Sequence, residues 1–339
     1  MKICVNGYGT IGKRVADVLA QNPNMKLVGV SKYTPDQDAR IANMKGINVF
    51  VPAESVGSFK SKGVEVFGTV DEMINEADVV IDASSDGKGV QNKNSIYAPK
   101  NKTAIFQGGE DESIADISFN ARSNFDAAKG RKYVRVVSCN TTAYCRLLKP
   151  LTENYAIKNI DAFLIRRGAD PSDSKGSALN SVEWKSKSHH AHDVNTVINV
   201  PMNSVAFKVP HTIAHINSMR VEFDQAPGKD ALYDLYKNES RVALLNSATT
   251  SSQIMEAARD IGLNRYDTYA VSLLMNTVQA NGNSVFMSFY VPQESIVVPE
   301  NADAAVAQAG IMGREESMKT TDKILGMERI KRELESIFA

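Results

Sequence analysis

The residue best suited to covalent chemistry is Cys139. It follows an apolar, β-branched run, Val134 to Val137, that predicts a buried strand, and it lies among small polar residues of the kind that begin helices, Ser138 to Thr142. We therefore expect Cys139 at a strand-to-helix turn, where the positive end of a helix stabilises an anion. A thiol in such a place loses its proton more easily, and the thiolate is the nucleophile. The alternative is a small buried cysteine packed under a helix start.

The chain also offers imidazoles, and all of its histidines fall in one part of it: His189, His190, His192, His211 and His215. A thiol enzyme needs one imidazole near the sulfur to take up a proton and return it, but the spacing does not choose among these residues. Three histidines this close together do not easily face one ion from a loop, and no cysteine or carboxylate cluster joins them. We therefore expect no metal site.

Arg166 and Arg167 stand side by side at the end of a predicted strand. The fork of an arginine side chain suits a phosphate or a carboxylate. A surface salt bridge is the alternative role for such a pair.

A glycine pattern near the N-terminus indicates a second kind of ligand. Gly7, Gly9 and Gly12 form G-x-G-x-x-G directly after a strand-like run, Lys2 to Val5. Such glycines let backbone N–H groups approach a pyrophosphate at the positive end of a helix. A turn needed only for tight packing of strand on helix would look the same. The position between two strands, the second at Lys26 to Val30, favours a dinucleotide site.

The residues after this second strand bear on the choice of cofactor. An NAD site often has Asp or Glu about 20 residues after the glycines, where it bonds the ribose 2′-hydroxyl. Here the chain reads Ser31-Lys32-Tyr33-Thr34, with no carboxylate before Asp36. A lysine beside hydroxyl groups suits a 2′-phosphate, so we expect NADP to be accepted with Lys32 as its main contact. A solvated surface lysine is the alternative.

The elements that must position these residues fall into two sets. Strands alternate with helices over residues 1–138, and two of them, 77–82 and 103–106, end in polar or glycine-rich sequence that includes Gly109. Ligands bind at the carboxyl ends of strands in such open sheets. We predict an α/β domain of the dinucleotide-binding (Rossmann) type, with a doubly wound parallel sheet.

Beyond this domain the predicted strands are longer and come in runs. They lie at Ile157–Arg167, Ser204–Val209, Ser218–Phe223 and Ser284–Val291, around helical stretches at Lys229–Leu245 and Ser252–Ile261. This pattern predicts an α+β catalytic domain with a mixed or antiparallel sheet over residues 139–300. Residues 301–339 predict helix with one apolar face, which we expect to pack back on the first domain. A subunit interface is the alternative place for that face.

Composition limits the classes of partner. Positive and negative side chains balance at 39 each, so no overall field draws the protein to nucleic acid or to a membrane. No apolar run approaches the ~20 residues that a membrane span needs, and we see no signal peptide. The few cysteines have no paired or zinc-binding spacing and suit a reducing compartment. We expect a cytoplasmic protein.

Several short runs follow one another along the chain: Asn6 to Gly12, Phe106 to Glu110, Arg135 to Thr142, Arg166 to Pro171, Ser188 to His190 and Gln293 to Asn301. Together they make the chain resemble the archaeal (type II) glyceraldehyde-3-phosphate dehydrogenases over nearly its whole length. The run Ser-Cys-Asn-Thr-Thr alone would also fit the bacterial and eukaryotic enzymes. One departure from the family is His211, which stands where threonine is usual.

The resemblance implies a reversible, phosphorylating reaction of glycolysis or gluconeogenesis. D-glyceraldehyde 3-phosphate, inorganic phosphate and NAD(P)⁺ would give 1,3-bisphosphoglycerate and NAD(P)H. Cys139 is then the nucleophile, and we assign His215 as the acid–base imidazole. The other implied positions are substrate contacts at Ser138, Asn140, Thr141, His189 and His190, and cofactor contacts at Thr10, Ile11, Gly109, Arg167 and Gln293 beside the glycines and Lys32. The resemblance also implies a homotetramer that accepts both NADP and NAD.

Two other functions fit part of this pattern. An NADP-dependent semialdehyde or acyl-phosphate reductase also has a thiol after a dinucleotide domain, and it would ignore glyceraldehyde 3-phosphate. A catalytically silent NAD(P)-binding module would bind cofactor without any aldehyde-dependent reduction. The intact Cys139 and the several histidines argue against the second of these.

Overall fold

The computed structural model describes residues 1–168, 182–185 and 188–339. The chain divides into two compact units. The first consists of Met1–Ser138 and Val298–Leu325, and the second of Cys139–Val297 and Gly326–Ala339. Of the runs that carry the resemblance, residues 169–171 lie outside the described ranges.

The described residues form strands and α-helices in the following chain order. The strands are β1 (Lys2–Asn6), β2 (Lys26–Ser31), β3 (Val49–Val51), β4 (Gly68–Thr69), β5 (Val79–Asp82), β6 (Thr103–Gln107), β7 (Ile117–Phe119), β8 (Tyr133–Val136), β9 (Ile157–Arg167), β10 (Glu183–Lys185), β11 (Met202–Val209), β12 (His215–Phe223), β13 (Val242–Leu245), β14 (Val271–Asn281) and β15 (Ser284–Val291). The helices are α1 (Thr10–Leu19), α2 (Gln37–Met44), α3 (Val56–Ser61), α4 (Val70–Glu76), α5 (Lys88–Asn92), α6 (Ala121–Asn124), α7 (Cys139–Asn154), α8 (His190–Asn195), α9 (Lys229–Tyr236), α10 (Ser251–Asp260), α11 (Val298–Ala309), α12 (Arg314–Leu325) and α13 (Met327–Ile337).

The first unit is built on an eight-stranded sheet in the order β4-β3-β2-β1-β5-β6-β8-β7. All of its strand pairs are parallel. The strand order reverses at β1, which has β2 on one side and β5 on the other. The glycine turn after β1 therefore lies at the switch point where doubly wound sheets bind ligands.

Capping residues in the sequence fix where two helices of this unit begin. Asp36 accepts the N–H of Ala39 and caps α2, while Thr69 and Glu72 form a reciprocal capping box at the start of α4. Such caps satisfy backbone donors that would otherwise lack partners. One buried core cluster joins the sheet to a helix: Phe50 of β3 and Phe106 of β6 pack with Tyr97 and with residues of α4.

The second unit contains a seven-stranded mixed sheet in the order β10-β11-β9-β12-β15-β14-β13. Its central strands β9, β12, β15 and β14 are antiparallel to their neighbours in that series. The pairs β11 with β9 and β13 with β14 are parallel. The predicted fold class, a Rossmann-type domain followed by an α+β domain with a mixed sheet, is confirmed.

Two expectations from the sequence are wrong in part. The stretch Lys229–Leu245 is not helical throughout, because α9 ends at Tyr236 and Val242–Leu245 forms β13 beside β14. A buried β-branched and aliphatic run fits a parallel strand as well as a helix, and here pairing with β14 decides. The last helix, α13, belongs to the second unit and not to the first. Its Ile330 and Leu334 pack in a cluster with residues of β13 and α10.

No helix in the described part of the chain is long and apolar enough to cross a membrane.

Candidate active site

Cys139 is the first residue of α7, and only Val137 and Ser138 separate it from the end of β8. The helix is fixed within its unit by large buried side chains. The ring of Tyr144 meets Phe289 of β15 edge-on, with centroids 5.1 Å apart and planes at 90°. The guanidinium of Arg146 donates to the carbonyl oxygen of Tyr269 at 2.7 Å. Because these contacts hold the helix against the sheet, they also fix the position of the thiol.

The thiol of Cys139 is harder to ionise than the sequence suggests. Its side chain is only partly accessible, and burial raises the pKa of the thiol to about 11. The charges of Arg166 and Arg167, and hydrogen bonds from the backbone N–H groups of Asn140 and Cys139, act to lower this pKa. The helix start is therefore where the sequence predicts it, but the expectation of a lowered pKa is wrong because desolvation is the larger effect.

A chain of hydrogen-bonded side chains begins at Asn140. Its Oδ1 accepts from Nδ2 of Asn217 on β12 at 2.8 Å, and its Nδ2 lies 3.4 Å from Nε2 of His190. Nδ1 of His190 lies 2.5 Å from the hydroxyl of Ser188. An amide nitrogen only donates, so this arrangement places the lone pair of His190 on Nε2 and its proton on Nδ1. His190 thus presents a proton acceptor beside Asn140.

Two further predicted substrate contacts join this cluster. The hydroxyl of Thr141 donates to the carboxylate of Asp193 on α8. His189 is exposed and stacks on His190, with ring centroids 4.1 Å apart. Sequence reasoning missed Asp193 and Asn217, which lie 52 and 77 residues from their partners along the chain. Neither stands in a motif that could have shown them.

Within the described ranges, no group of three or more His, Cys, Asp or Glu side chains could hold a metal ion. The histidines of this unit instead have hydrogen-bonding partners of other kinds, such as the hydroxyl of Ser251 beside His211 at 3.1 Å.

His215, at the start of β12, is buried and neutral. Its Nδ1 accepts the backbone N–H of Arg167 at 2.9 Å, which places the proton of the neutral ring on Nε2. Burial, followed by the charges of Arg166 and Arg167, holds the pKa of His215 well below its ordinary value. A ring in this state donates from Nε2 and has no free lone pair. The geometry therefore fits a hydrogen-bond donor at Nε2, and the acid–base role of His215 stays a prediction.

The two arginines that end β9 have different surroundings. The guanidinium of Arg167 is 2.8 Å from the carboxylate of Glu294, and its side chain is only 2% exposed. Among the described residues, Arg166 has no hydrogen-bond or ion-pair partner, and its Nε is buried. Its charge nevertheless acts on both Cys139 and His215. Arg166 is therefore the arginine here that can take up an anion, whereas Arg167, the implied cofactor contact, already has a carboxylate partner.

The remaining implied positions are spread over both units. In the second unit, Oε1 of Gln293 is buried without a hydrogen-bond partner among the described residues. In the first unit, a Cβ added to Gly109 would lie 3.3 Å from Asp86. A Cβ on Gly108 would lie only 2.1 Å from the backbone nitrogen of Ser138. The close approach of the backbone at Ser138 therefore requires glycine at position 108. The Gly108-Gly109 pair after β6 is the sequence signal that could have indicated this requirement.

The loop after β1 has the shape of a pyrophosphate-binding turn. Gly7 has φ +106, and a Cβ on Gly12 would lie 1.8 Å from the carbonyl oxygen of Gly7, so both positions require glycine. A Cβ on Gly9 would meet nothing within 4 Å, so the backbone there borders open space. The first turn of α1, which begins with Thr10 and Ile11, has no side-chain cap and no acidic residue. Its N–H groups fit the phosphates of a dinucleotide.

Lys32 lies beside this loop, as the sequence predicts. The hydroxyl of Ser31, the preceding residue, accepts the N–H of Gly7 at 2.8 Å. The side chain of Lys32 is largely buried, which excludes the alternative of a solvated surface lysine, and its Nζ lies 2.7 Å from Asp36. The contact of Lys32 with a 2′-phosphate stays a prediction, and its ammonium already has a carboxylate partner.

Comparisons with known proteins cover both units. The family model described as "Glyceraldehyde 3-phosphate dehydrogenase, C-terminal domain" matches residues 138–278, and the one described as "Dihydrodipicolinate reductase, N-terminus" matches residues 1–118. The glyceraldehyde-3-phosphate dehydrogenase of Sulfurisphaera tokodaii is 42% identical over 335 residues, which is 96% of this chain and 97% of that protein. The one from Methanothermus fervidus is 41% identical over 312 residues, 90% of this chain and 92% of that protein. The one from Thermoplasma volcanium is 38% identical over 336 residues, 97% and 99%.

The parallel sheet, its glycine turn and these matches define the class of protein as an oxidoreductase with a nicotinamide cofactor. Relatives at about 40% identity span nearly the whole chain. The chain belongs to the archaeal glyceraldehyde-3-phosphate dehydrogenase family, which confirms the recognition made from the short runs.

Proposed function

We propose that the protein oxidises D-glyceraldehyde 3-phosphate to 1,3-bisphosphoglycerate with NAD(P)⁺ and inorganic phosphate, reversibly, in glycolysis or gluconeogenesis. The observation that carries this proposal is that Cys139 begins α7 next to Asn140, whose Nδ2 lies 3.4 Å from Nε2 of His190. The charge of Arg166 acts on both the Cys139 thiol and the His215 imidazole. A nucleophile, a hydrogen-bond donor for the reacting oxygen and a cation for phosphate are groups that this reaction needs.

Cys139 acts as the nucleophile. Its sulfur forms a bond to the aldehyde carbon, and the thiol proton ends on the former carbonyl oxygen. The backbone N–H groups of Cys139 and Asn140 already reach the sulfur, and among the described residues the Nδ2 of Asn140 has one long contact, 3.4 Å to His190. These donors are available to the oxygen as charge develops on it. Losing one such donor typically raises the barrier by on the order of 2.7–4 kcal/mol.

The oxidation step divides proton transfer between two imidazoles. The hydroxyl proton of the hemithioacetal goes to Nε2 of His190, and Nε2 of His215 donates a hydrogen bond to the same oxygen. The nicotinamide, when bound, supplies the hydride acceptor. Loss of hydride and proton leaves a thioester on Cys139.

Asparagine variants separate the two imidazole roles, because an Asn side chain can keep the hydrogen bond made by Nδ1 while it removes Nε2. His190→Asn should abolish the rise of rate with pH that a general base produces. His215→Asn should lower the rate at every pH and keep that rise. The reverse result would return the base role to His215.

Arg166 holds the inorganic phosphate that attacks the thioester. Attack on the carbonyl carbon forms the acyl phosphate and expels the sulfur of Cys139 as thiolate. Ser138, Thr141 and His189 remain as contacts to the substrate. Arg166→Lys keeps a charge but loses the fork, so it should raise the KM for phosphate and leave the first, phosphate-independent turnover intact. An unchanged KM would remove Arg166 from the phosphate site.

Both NADP and NAD serve as cofactor in this proposal. The glycine turn, with Thr10 and Ile11, takes the pyrophosphate, and Lys32 takes the 2′-phosphate of NADP. Gly109, Arg167 and Gln293 are the remaining cofactor contacts. Lys32→Ala should weaken NADP much more than NAD, and equal losses would refute the assignment of Lys32.

The chain forms a homotetramer in this proposal. Strand register places several large apolar residues on one face of the mixed sheet, where Ile165, Phe207 and Trp184 lie directly opposite one another across neighbouring strands. They are exposed in the single chain: Phe163, Ile165, Trp184, Phe207 and Phe286. A contiguous apolar face of this kind is typical of an association surface. Light scattering after size-exclusion chromatography should give four chains, and Trp184→Glu should shift the assembly toward smaller species.

The decisive experiment is a spectrophotometric assay of NADP and NAD reduction with glyceraldehyde 3-phosphate, with and without phosphate. Steady turnover should need both, and Cys139→Ser should abolish it while cofactor still binds. Cofactor binding without any aldehyde-dependent reduction would instead indicate a silent binding module. Activity on other aldehydes alone would indicate a semialdehyde or acyl-phosphate reductase.

A further inference from the structure

The N-terminal end of α2 carries two carboxylates that each hold a lysine near the glycine loop. Asp36 lies 2.7 Å from Nζ of Lys32, and Asp38 lies 3.2 Å from Nζ of Lys13 on α1. The side chains of Lys32 and Asp36 are 10% and 31% exposed. Their interaction is therefore less weakened by water than that of an ordinary surface pair.

The position of the first pair is set by the end of β2. The hydroxyl of Ser31, the last residue of that strand, accepts the N–H of Gly7 in the loop. In a doubly wound sheet, this strand end faces the adenosine ribose, and the 2′-oxygen of that ribose carries a hydroxyl in NAD and a phosphate in NADP. Lys32 comes next in the chain. One positive and one negative group thus stand where the two cofactors differ.

We propose that Asp36 is a specificity-determining residue, which competes with the 2′-phosphate of NADP for Lys32 and accepts the 2′-hydroxyl of NAD. The inference rests on the proposed function, since it needs a dinucleotide in the glycine loop. A phosphate monoester carries roughly −1.5 to −2 charges near neutral pH. With Asp36 present, two anionic groups share one ammonium, whereas a ribose hydroxyl is neutral and can donate to the carboxylate.

The competing charge is present throughout the neutral range. Burial acts to raise the pKa of Asp36, but hydrogen bonds from Lys32 and from the backbone N–H groups of Ala39 and Asp38 outweigh it and hold the pKa below its usual value. The same carboxylate caps α2 through Ala39. The change of Asp36 to asparagine removes the charge and keeps the cap, because asparagine has the same shape and caps a helix about as well as aspartate.

The test uses fragments that lack the nicotinamide, so it does not depend on catalysis. ADP-ribose and 2′-phospho-ADP-ribose are titrated by calorimetry into the wild-type protein and into Asp36→Asn. The Kd of the phosphorylated fragment should fall about tenfold in the variant, because a like charge is removed and Lys32 is released. The Kd of ADP-ribose should stay the same or rise. Adding Lys32→Met to Asp36→Asn should abolish the gain.

Asp17→Asn is the matched control. Asp17 on α1 lies 2.7 Å from Nζ of Lys45, the residue that follows α2. Like Asp36→Asn, the Asp17→Asn change therefore removes one carboxylate that pairs with a lysine in this region. If Asp36→Asn alters the ratio of the two Kd values no more than Asp17→Asn does, the proposal is overturned while the dinucleotide site stands. If the wild-type protein binds neither fragment, the dinucleotide site fails, and the proposal fails with it.

Discussion

The ionisation of Cys139 allows a quantitative test of the site. With a pKa of about 11 instead of the ordinary 9.0, the thiolate fraction at pH 8 is about one in a thousand, roughly a hundredfold less than that of an unperturbed thiol. Because only the thiolate reacts with an alkylating agent, the rate of alkylation should rise about tenfold per pH unit between about pH 7 and about pH 10. No plateau should appear near neutral pH.

Iodoacetamide labelling followed by mass spectrometry of the Cys139 peptide measures this rate. Cys4 and Cys145 are buried, so any label on them reports loss of the fold and serves as an internal control. Arg166→Gln should raise the pKa further and slow alkylation at a fixed pH, because Arg166 supplies the foremost charge that opposes burial. Arg220→Gln, on the exposed face of the same sheet, should leave the rate unchanged.

Two results would contradict this reasoning. A plateau of the alkylation rate near pH 7 would show that the charges and N–H groups outweigh burial at the sulfur. An unchanged rate in Arg166→Gln would show that the guanidinium does not act on Cys139. In the second case, the proposed place of phosphate beside the nucleophile would lose its support as well.

Three further changes test other parts of the structure. His215→Asn should make the stability of the protein less sensitive to acid. Because the pKa of His215 is lowered in the folded state, the wild-type protein keeps this contribution to stability above the unfolded pKa of about 6.5 and loses it as pH falls below that value. Urea midpoints at about pH 7 and about pH 5 check this, and equal losses in both proteins would refute it. Arg167→Met should lower the unfolding free energy by about 3–5 kcal/mol, because the buried carboxylate of Glu294 loses the guanidinium 2.8 Å away, and adding Glu294→Gln should recover part of the loss in the same denaturation assay. Gly12→Ala should lower both melting temperature and dinucleotide affinity, because its Cβ would lie 1.8 Å from a backbone carbonyl oxygen, whereas Gly57→Ala, with nothing within 4 Å, should do neither.

The parts of the site that could be predicted from the sequence are those determined by a few residues close together in the chain. The β-branched run before Ser138 and the small polar run after it are local, and they place Cys139 at the start of α7. The glycine turn is equally local: two of its three glycines are required by a backbone approach or a positive φ within the loop. Short-range sterics and capping decide both, so the sequence contains what is needed.

What could not be predicted depends on residues far apart in the chain. The pKa of Cys139 depends on how deeply the fold buries the start of α7, and no local pattern gives that depth. The tautomer of His215 follows from a backbone N–H 48 residues away. The partner of Lys32 is only four residues distant, yet a helix cap at Asp36 had to be recognised first. The placement of α13 likewise needs the cluster around Ile330, whose partners lie on other elements.

The two shifted groups constrain the order of events in the proposed reaction. Burial raises the pKa of the Cys139 thiol and lowers that of the His215 imidazole, so the resting pair is thiol and neutral ring and not thiolate and imidazolium. Arg166 lowers both pKa values. An anion bound to Arg166 would cancel this effect and make the thiol still harder to ionise. Phosphate that arrives before the aldehyde would therefore slow the attack of Cys139, whereas phosphate that arrives after the thioester has formed meets a sulfur that no longer needs to ionise. The electrostatics thus favour acylation first and phosphate second.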